Sequence, residues 1–337
     1  MPEQPDSLLL LQSHMWSFVS SKCLTVAVEN DLFEIVERRK GMLIEDIATS
    51  LEWDTRATRG IVGVLEAIGC LSIARNNMVN LTATARKWLL KESAQSLRAF
   101  ILRSGRLHEA YMQLDKIAKT GEPSPRMREE TLASFGTNYD LTVDFAKSMH
   151  SMSYEFSEEV ALYSKLDGAK SLMDVGCGWG SLAVALAKRW NNLSITAFDL
   201  PGVIEGAKKN VSNTGLKHQI HLESRDWLVG YPDGQFDAIL LSQVLHEVPY
   251  ITAEHLLKEA ADHLKLGGLL LIVGFLDTGA TPSGFLSSVF TLNMMVELGS
   301  DNPTEKKLTE KTAELGIQVV SSQPLSGGRT LWTGKKL

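Results

Sequence analysis

Apolar residues recur at helical intervals through the first part of the chain, over residues 24–35 and again over 44–51. A third helix is capped at Asp54 or Thr55 and reaches Ile68 and Gly69. The period then shortens to two: Leu71 and Ile73, a turn at Asn76 and Asn77, and Val79 and Leu81 read as a β-hairpin. Three helices and a hairpin predict a winged helix over residues 1–100. Residues 101–165 return to helical spacing and predict linking helices. One covers 97–118, and another carries Phe145, Met149 and Met152 at i, i+4 and i+7. From Ser171 onward, strand and helix patterns alternate. Apolar runs at 170–173, 193–199, 220–223, 236–244 and 269–275 are followed by a hairpin of 318–322 and 330–333. The order predicts an α/β domain over residues 166–337: a Rossmann-like, mainly parallel seven-stranded sheet with an antiparallel C-terminal hairpin, preceded by the mostly helical winged-helix domain.

Composition narrows the class. The chain has 337 residues, 44% hydrophobic and 22% charged, which is ordinary globular usage for about two domains. A net charge of −6 without a basic run argues against nucleic acid as a main partner. The early run of Leu8, Leu9, Leu10 and Leu11 is far too short to span a membrane, and the pattern holds no secretory segment, so a cytoplasmic protein without a membrane partner is expected. Cys23, Cys70 and Cys177 are too few and too scattered for a disulfide framework or a zinc site, and no metal is expected.

The chemistry is announced where the first run of the α/β domain ends, in Asp174, Val175, Gly176, Cys177, Gly178, Trp179 and Gly180. Alternate glycines between a strand and a helix let a ligand lie against bare backbone. The spacing G-x-G-x-G is not the dinucleotide fingerprint, because Ser181 stands where that motif has its third glycine, and no G-K-[ST] follows to make a P-loop. The next apolar strand ends in Asp199, about 20 residues on, where an open α/β sheet meets a ribose diol.

With Phe198 to Ile204, Ser224 to Trp227, and Leu245 to Pro249 following the glycines, the chain resembles class I S-adenosylmethionine-dependent methyltransferases. It is most similar to the small-molecule O-methyltransferases of plant phenolic and bacterial antibiotic pathways, and the resemblance covers nearly its whole length. It implies S-adenosylmethionine as methyl donor, S-adenosylhomocysteine as product and a role in secondary metabolism. It also implies that the winged helix serves to dimerise two copies. A DNA-reading role fits poorly, because Arg56 and Arg59 on the third helix are accompanied by Asp54 and Glu66.

Expected cofactor contacts are Asp174, Gly176 and Gly178 toward the methionine portion, Asp199 and Leu200 at the ribose, and Asp226 and Trp227 at the adenine, with Ser242 at the end of the following strand. The resemblance adds Met149 and Ser153 to that set. His246, followed by Glu247, is where the family places its catalytic histidine, and imidazole is the side chain suited to take a hydroxyl proton near neutral pH. The plant enzymes brace that histidine with two glutamates. By spacing these fall on Gly274 and near Asn302, so both are missing here, with Asp277 and Glu297 as possible substitutes. The mostly apolar segment 283–298, with Phe290, Asn293 and Met294 as substrate contacts, suits a small aromatic or polyketide-like acceptor. The expected function is methyl transfer to a hydroxyl by a homodimer with a histidine base. Alternatives are C- or N-methylation, a non-methylating relative of pericyclase, decarboxylase or hydroxylase type, or a winged-helix regulator that senses S-adenosylmethionine.

Overall fold

A computed structural model describes residues 8–134, 137–154, 156–276, 285–300 and 304–337. The chain divides into two compact units, residues 1–108 and 109–337.

In the first unit, α1 (Leu8–Glu29) and α2 (Leu32–Arg38) replace the single helix expected over 24–35. The break has a local cause. Asp31 adopts φ 57°, a left-handed value that Asp tolerates better than most residues, and its carboxylate is held by Lys91 Nζ and Arg98 Nη2, each at 2.6 Å. Then come α3 (Ile44–Leu51) and α4 (Thr55–Ala67), the latter capped by Asp54, whose Oδ1 accepts from the N–H groups of Arg56 and Ala57. Strands β1 (Leu71–Ile73) and β2 (Val79–Leu81) pair antiparallel, and α5 (Ala83–Trp88) follows. Leu32, Phe33, Ile47, Val62, Leu65, Leu71 and Val79 form the core of this unit. On α4, Arg59 pairs with Glu45 at 2.9 Å and Arg56 lies 3.7 Å from Asp54, so the helix presents no row of unpaired cations.

The unit boundary falls within α6 (Arg98–Tyr111), and the helix predicted over 97–118 is completed by a separate α7 (Leu114–Thr120). The second unit continues with α8 (Pro125–Ala133), α9 (Tyr139–Ser153) and α10 (Ser157–Tyr163) before its sheet begins. There β3 (Ser171–Val175), α11 (Ser181–Arg189), β4 (Ser194–Asp199), α12 (Pro201–Ser212), β5 (Ile220–Ser224), β6 (Phe236–Ser242), α13 (Tyr250–His263) and β7 (Leu264–Gly274) alternate. The remaining elements are α14 (Phe285–Leu298), α15 (Glu305–Glu314), β8 (Ile317–Pro324) and β9 (Thr330–Lys336).

The seven strands lie in the order β5-β4-β3-β6-β7-β9-β8. The first five are parallel, and β9 runs antiparallel between β7 and β8. The sheet is covered on both faces, as an apolar parallel sheet must be. Leu172, Ile195, Ala238 and Leu240 face a core with α10, α11 and α12, while Met173, Val175, Ile239, Leu241 and Trp332 face one with α13 and α15. The chain winds outward from β3 to β5 and then returns to β6, so β3 and β6 flank the point where strand order reverses. Ligands of open α/β sheets bind at that point, outside the carboxyl ends of the strands.

Candidate functional site

At the carboxyl end of β3 the chain turns through Gly176, Gly178 and Gly180 with φ of 66°, 55° and 76°, a conformation that suits glycine. The neighbouring strand holds the loop. The N–H groups of Gly176 and Cys177 both donate to the Phe198 carbonyl at 3.1 Å, and that of Gly178 donates to Asp199 Oδ2 at 2.8 Å. Asp199 Oδ1 accepts from Leu200 at the start of α12, at 2.7 Å. Each carboxylate oxygen keeps further acceptor capacity for a ligand. Burial raises Asp199 to about 6, against the pull of those two N–H donors.

Asp174 lies beneath this loop, 1% exposed, and neither carboxylate oxygen has a hydrogen-bond partner among the described residues. Burial, with Asp199 nearby, raises it to about 8. A buried carboxyl left unpaired costs free energy, and a ligand that brings donors or positive charge relieves the cost. Bare backbone is also needed at the loop itself. A Cβ on Gly176 would stand 2.6 Å from Val244 Cγ1 and 3.7 Å from Trp227 Nε1.

The remaining predicted contacts sit at neighbouring strand ends. Asp226 closes the turn after β5 by accepting from the Leu228 N–H at 2.9 Å, and Trp227 is buried among Val175, Phe198 and Val244. The strand predicted over 236–244 stops at Ser242, because Gln243 takes φ 62° and turns the chain into the loop that carries His246. Ser242 Oγ and Gln243 Nε2 are both buried without partners among the described residues. The sequence reading missed Gln243. Its signal is the left-handed backbone of a non-glycine residue, which no sequence pattern displays. On α9, the buried face is Thr142, Ala146, Ser148 and Ser151, so the stripe of Phe145, Met149 and Met152 is only half-buried. Ser153, also half-buried, donates to the His150 carbonyl at 2.8 Å.

His246 is 5% exposed, and Ser300 Oγ donates to its backbone carbonyl at 3.0 Å. Its ring meets Phe290 edge-on at 4.7 Å, and Phe290 stacks on Phe275 at 3.9 Å. The Arg329 guanidinium lies over Phe275 at 4.9 Å and over Phe156 at 4.4 Å. Burial and this cation lower His246 to about 3, so its imidazole is neutral throughout the physiological range. Arg329 escaped the sequence reading because it stands alone in a turn. Glu247 follows on the same loop, its N–H donating to the Val244 carbonyl at 3.3 Å.

Glu297 is buried within α14. At 1% exposure it accepts from Thr131 Oγ1 at 3.0 Å and Asn293 Nδ2 at 2.5 Å, and Tyr111 donates to Asn293 Oδ1 at 3.3 Å. Burial, and secondarily Glu297, push the Tyr111 phenol up to about 12. No described carboxylate bonds to the His246 ring. Gly274 ends β7 with open space among the described residues where its Cβ would stand, and Asp277, Ser283 and Asn302 lie outside the described residues. Along α14, Met294 is buried, but Phe285, Leu286 and Val289 are 71%, 53% and 41% exposed, so the apolar segment is not mainly core.

Residues 130–317, more than half of the chain, match the sequence model of the O-methyltransferase domain. The chain belongs to the O-methyltransferase family. Membership makes it an S-adenosylmethionine-dependent methyltransferase. It is 23% identical over 317 residues to a 3-hydroxy-5-methyl-1-naphthoate 3-O-methyltransferase of Streptomyces sahachiroi, covering 94% of this chain and 90% of that one. It is 26% identical over 285 residues to a human probable bifunctional dTTP/UTP pyrophosphatase/methyltransferase, covering 82% of this chain but only 45% of that longer protein. Human N-acetylserotonin methyltransferase, solved in complex with S-adenosylmethionine, shares the fold with a TM-score of 0.86 at 18% identity, over 100% of this chain and 99% of that one. Among the described residues, this family member has no helix long and apolar enough to cross a membrane and no group of three potential metal ligands.

Proposed function

We propose that this O-methyltransferase transfers the methyl group of S-adenosylmethionine to an acidic hydroxyl of a small aromatic or polyketide-like metabolite, with His246 receiving the proton. The observation that carries the reading is the unpaired, buried Asp174 carboxyl under a glycine loop, at the strand-order reversal and one loop away from His246. The cofactor supplies an electrophilic methyl on a sulfonium cation. Asp174 offers that cationic ligand two free acceptor oxygens, Ser242 Oγ and Gln243 Nε2 offer donors to a carboxylate, and Asp199 keeps lone pairs for a ribose diol. Trp227 gives a flat wall for a purine, with Leu200 and Asp226 at its rim and Met149 and Ser153 on the adjoining helix.

In-line displacement asks the protein mainly for proximity and alignment. Phe290, Asn293 and Met294 on α14 hold the acceptor ring, and a ring nitrogen of His246 takes the hydroxyl proton as the oxygen attacks. An imidazole held near 3 is a weak proton acceptor, so it suits hydroxyls already acidified by a conjugated carbonyl or a quinone better than simple phenols. Glu247 sits beside it in the loop. A homodimer accounts for the apolar face of α1, where Leu8, Leu11, Met15, Trp16 and Phe18 are all more than 60% exposed.

The test is incubation with methyl-labelled donor and a panel of hydroxyarenes, anilines and carbon nucleophiles. Label should appear as methyl ether on the acidic hydroxyarenes. Across the panel the rate should rise with the acidity of the acceptor hydroxyl, and the pH profile should show no inflection near the ordinary histidine value. Label on carbon or nitrogen alone would overturn the hydroxyl reading.

A further inference from the structure

Five backbone or side-chain anchors fix the glycine loop, and four of them come from β4 and α12. Beyond the three bonds to Phe198 and Asp199, Asn210 Nδ2 on α12 donates to the Trp179 carbonyl at 2.8 Å. The fifth comes from α9. There His150 Nδ1 and Ser181 Oγ are 2.6 Å apart, and the same imidazole lies 5.1 Å from the Trp179 ring and 5.1 Å, edge-on, from Tyr154. Ser181 is the first residue of α11, and its N-cap is Gly180 with no side-chain cap, so the helix start that faces the ligand is positioned from outside. Trp179 in turn lies against Gly206 of α12. The methyl-transfer mechanism uses none of His150, Ser181 and Trp179.

We propose that His150 is a positioning residue that locks the glycine loop to helix α9 through Ser181, making cofactor affinity depend on the seating of that helix. The inference rests on the cofactor reading given above. Burial lowers His150 to about 4, so the imidazole is neutral, and one tautomer suffices for the bond whichever partner donates. Met149 and Ser153 flank His150 on α9, so the bond also fixes the register in which these two residues reach the ligand. A shift of α9 is then felt at the cofactor loop through that hydrogen bond and the Trp179 ring contact beside it.

Calorimetric titration of the full chain with S-adenosylhomocysteine tests this. His150→Phe keeps the ring contacts and loses the bond, and Ser181→Ala loses the same bond from the other side. Each should weaken binding about 5- to 10-fold, the equivalent of one hydrogen bond, and the double variant should be no weaker than either alone. His150→Asn, whose amide can stand in for Nδ1, should restore affinity, and kcat at saturating cofactor should stay within about twofold for all of them. Additive losses, wild-type binding in Ser181→Ala, or loss of kcat without loss of affinity would each overturn the proposal. If His150→Phe does not fold, Ser181→Ala and His150→Asn decide. Failure of the unmodified chain to bind S-adenosylhomocysteine would instead sink the cofactor reading on which the proposal rests.

Discussion

The proposed cofactor half and the proposed acceptor half of the site are made of different materials. The first is strand ends and backbone: three bonds from β4 fix the glycine loop, and Asp174 and Asp199 are fully enclosed. The second is helix faces and aromatic contact: the Phe275, Phe290 and His246 stack, and a helix α14 that leaves Phe285, Leu286 and Val289 exposed. Backbone anchored by a sheet tolerates little change and suits a ligand common to many enzymes. A loosely covered apolar helix can be re-lined at small cost in stability, and it suits the part that differs from one acceptor to the next.

Four measurements would break or sharpen that contrast. The largest effect is expected in the acceptor half: His246→Ala should lower kcat about 10²- to 10³-fold while leaving affinity for S-adenosylhomocysteine within about threefold. Parallel loss of both would show that the two halves are not separable. Next, Gly176→Val adds strain at φ 66° and drives a Cβ to 2.6 Å from Val244 Cγ1, and calorimetry should show cofactor affinity falling about 100-fold. Retained affinity would mean that the loop is softer than its five anchors imply.

Third, Asp174 is held above its ordinary value, at about 8, so without a ligand's charge beside it the carboxyl is protonated at neutral pH, and a cationic ligand must displace that proton. S-adenosylmethionine affinity should therefore rise up to about tenfold per pH unit below pH 8 and level off above it, whereas Asp174→Asn should lose the part of that rise that ends near pH 8. The stability sign runs the opposite way. A raised folded pKa favours the fold while the carboxyl is protonated in both states, below about pH 4, and that advantage is lost as pH rises toward 8. Asp174→Asn should accordingly raise the melting temperature of the ligand-free protein at pH 8 and leave it unchanged near pH 4. The smallest effect is expected on α14, where Asn293→Ala should raise the acceptor KM about fivefold with kcat nearly unchanged. A large kcat loss there would move Asn293 from the wall into the chemistry.

The same contrast explains what the sequence could show. Strand ends are punctuated by glycine and acid, so the positions of Asp174, Gly176 and Asp199 at strand ends, and the mainly parallel sheet, could be read from the succession of motifs. Helix faces carry no such punctuation. Apolar composition marked the segment 283–298 but not which side of α14 is covered, and Phe145, Met149 and Met152 formed a stripe whose half-buried state depends on neighbours distant in sequence. Gln243, Arg329 and His150 acquire meaning only through a backbone angle, an aromatic ring and a serine 31 residues away. The break at Asp31 was hidden for a different reason. Asp and Asn are compatible with a helix pattern until the chain requires a left-handed residue.

Trp179 and Gly206 carry a consequence for how this sequence can drift. A methyl group at position 206 would land 2.2 Å from Trp179 Nε1, so no side chain enters there while the indole stays in place. Among descendants of this chain the two positions form one inherited unit. A larger residue at 206 becomes acceptable only after, or together with, a smaller one at 179, and an ordering of mutations is thereby imposed on the loop by the helix behind it.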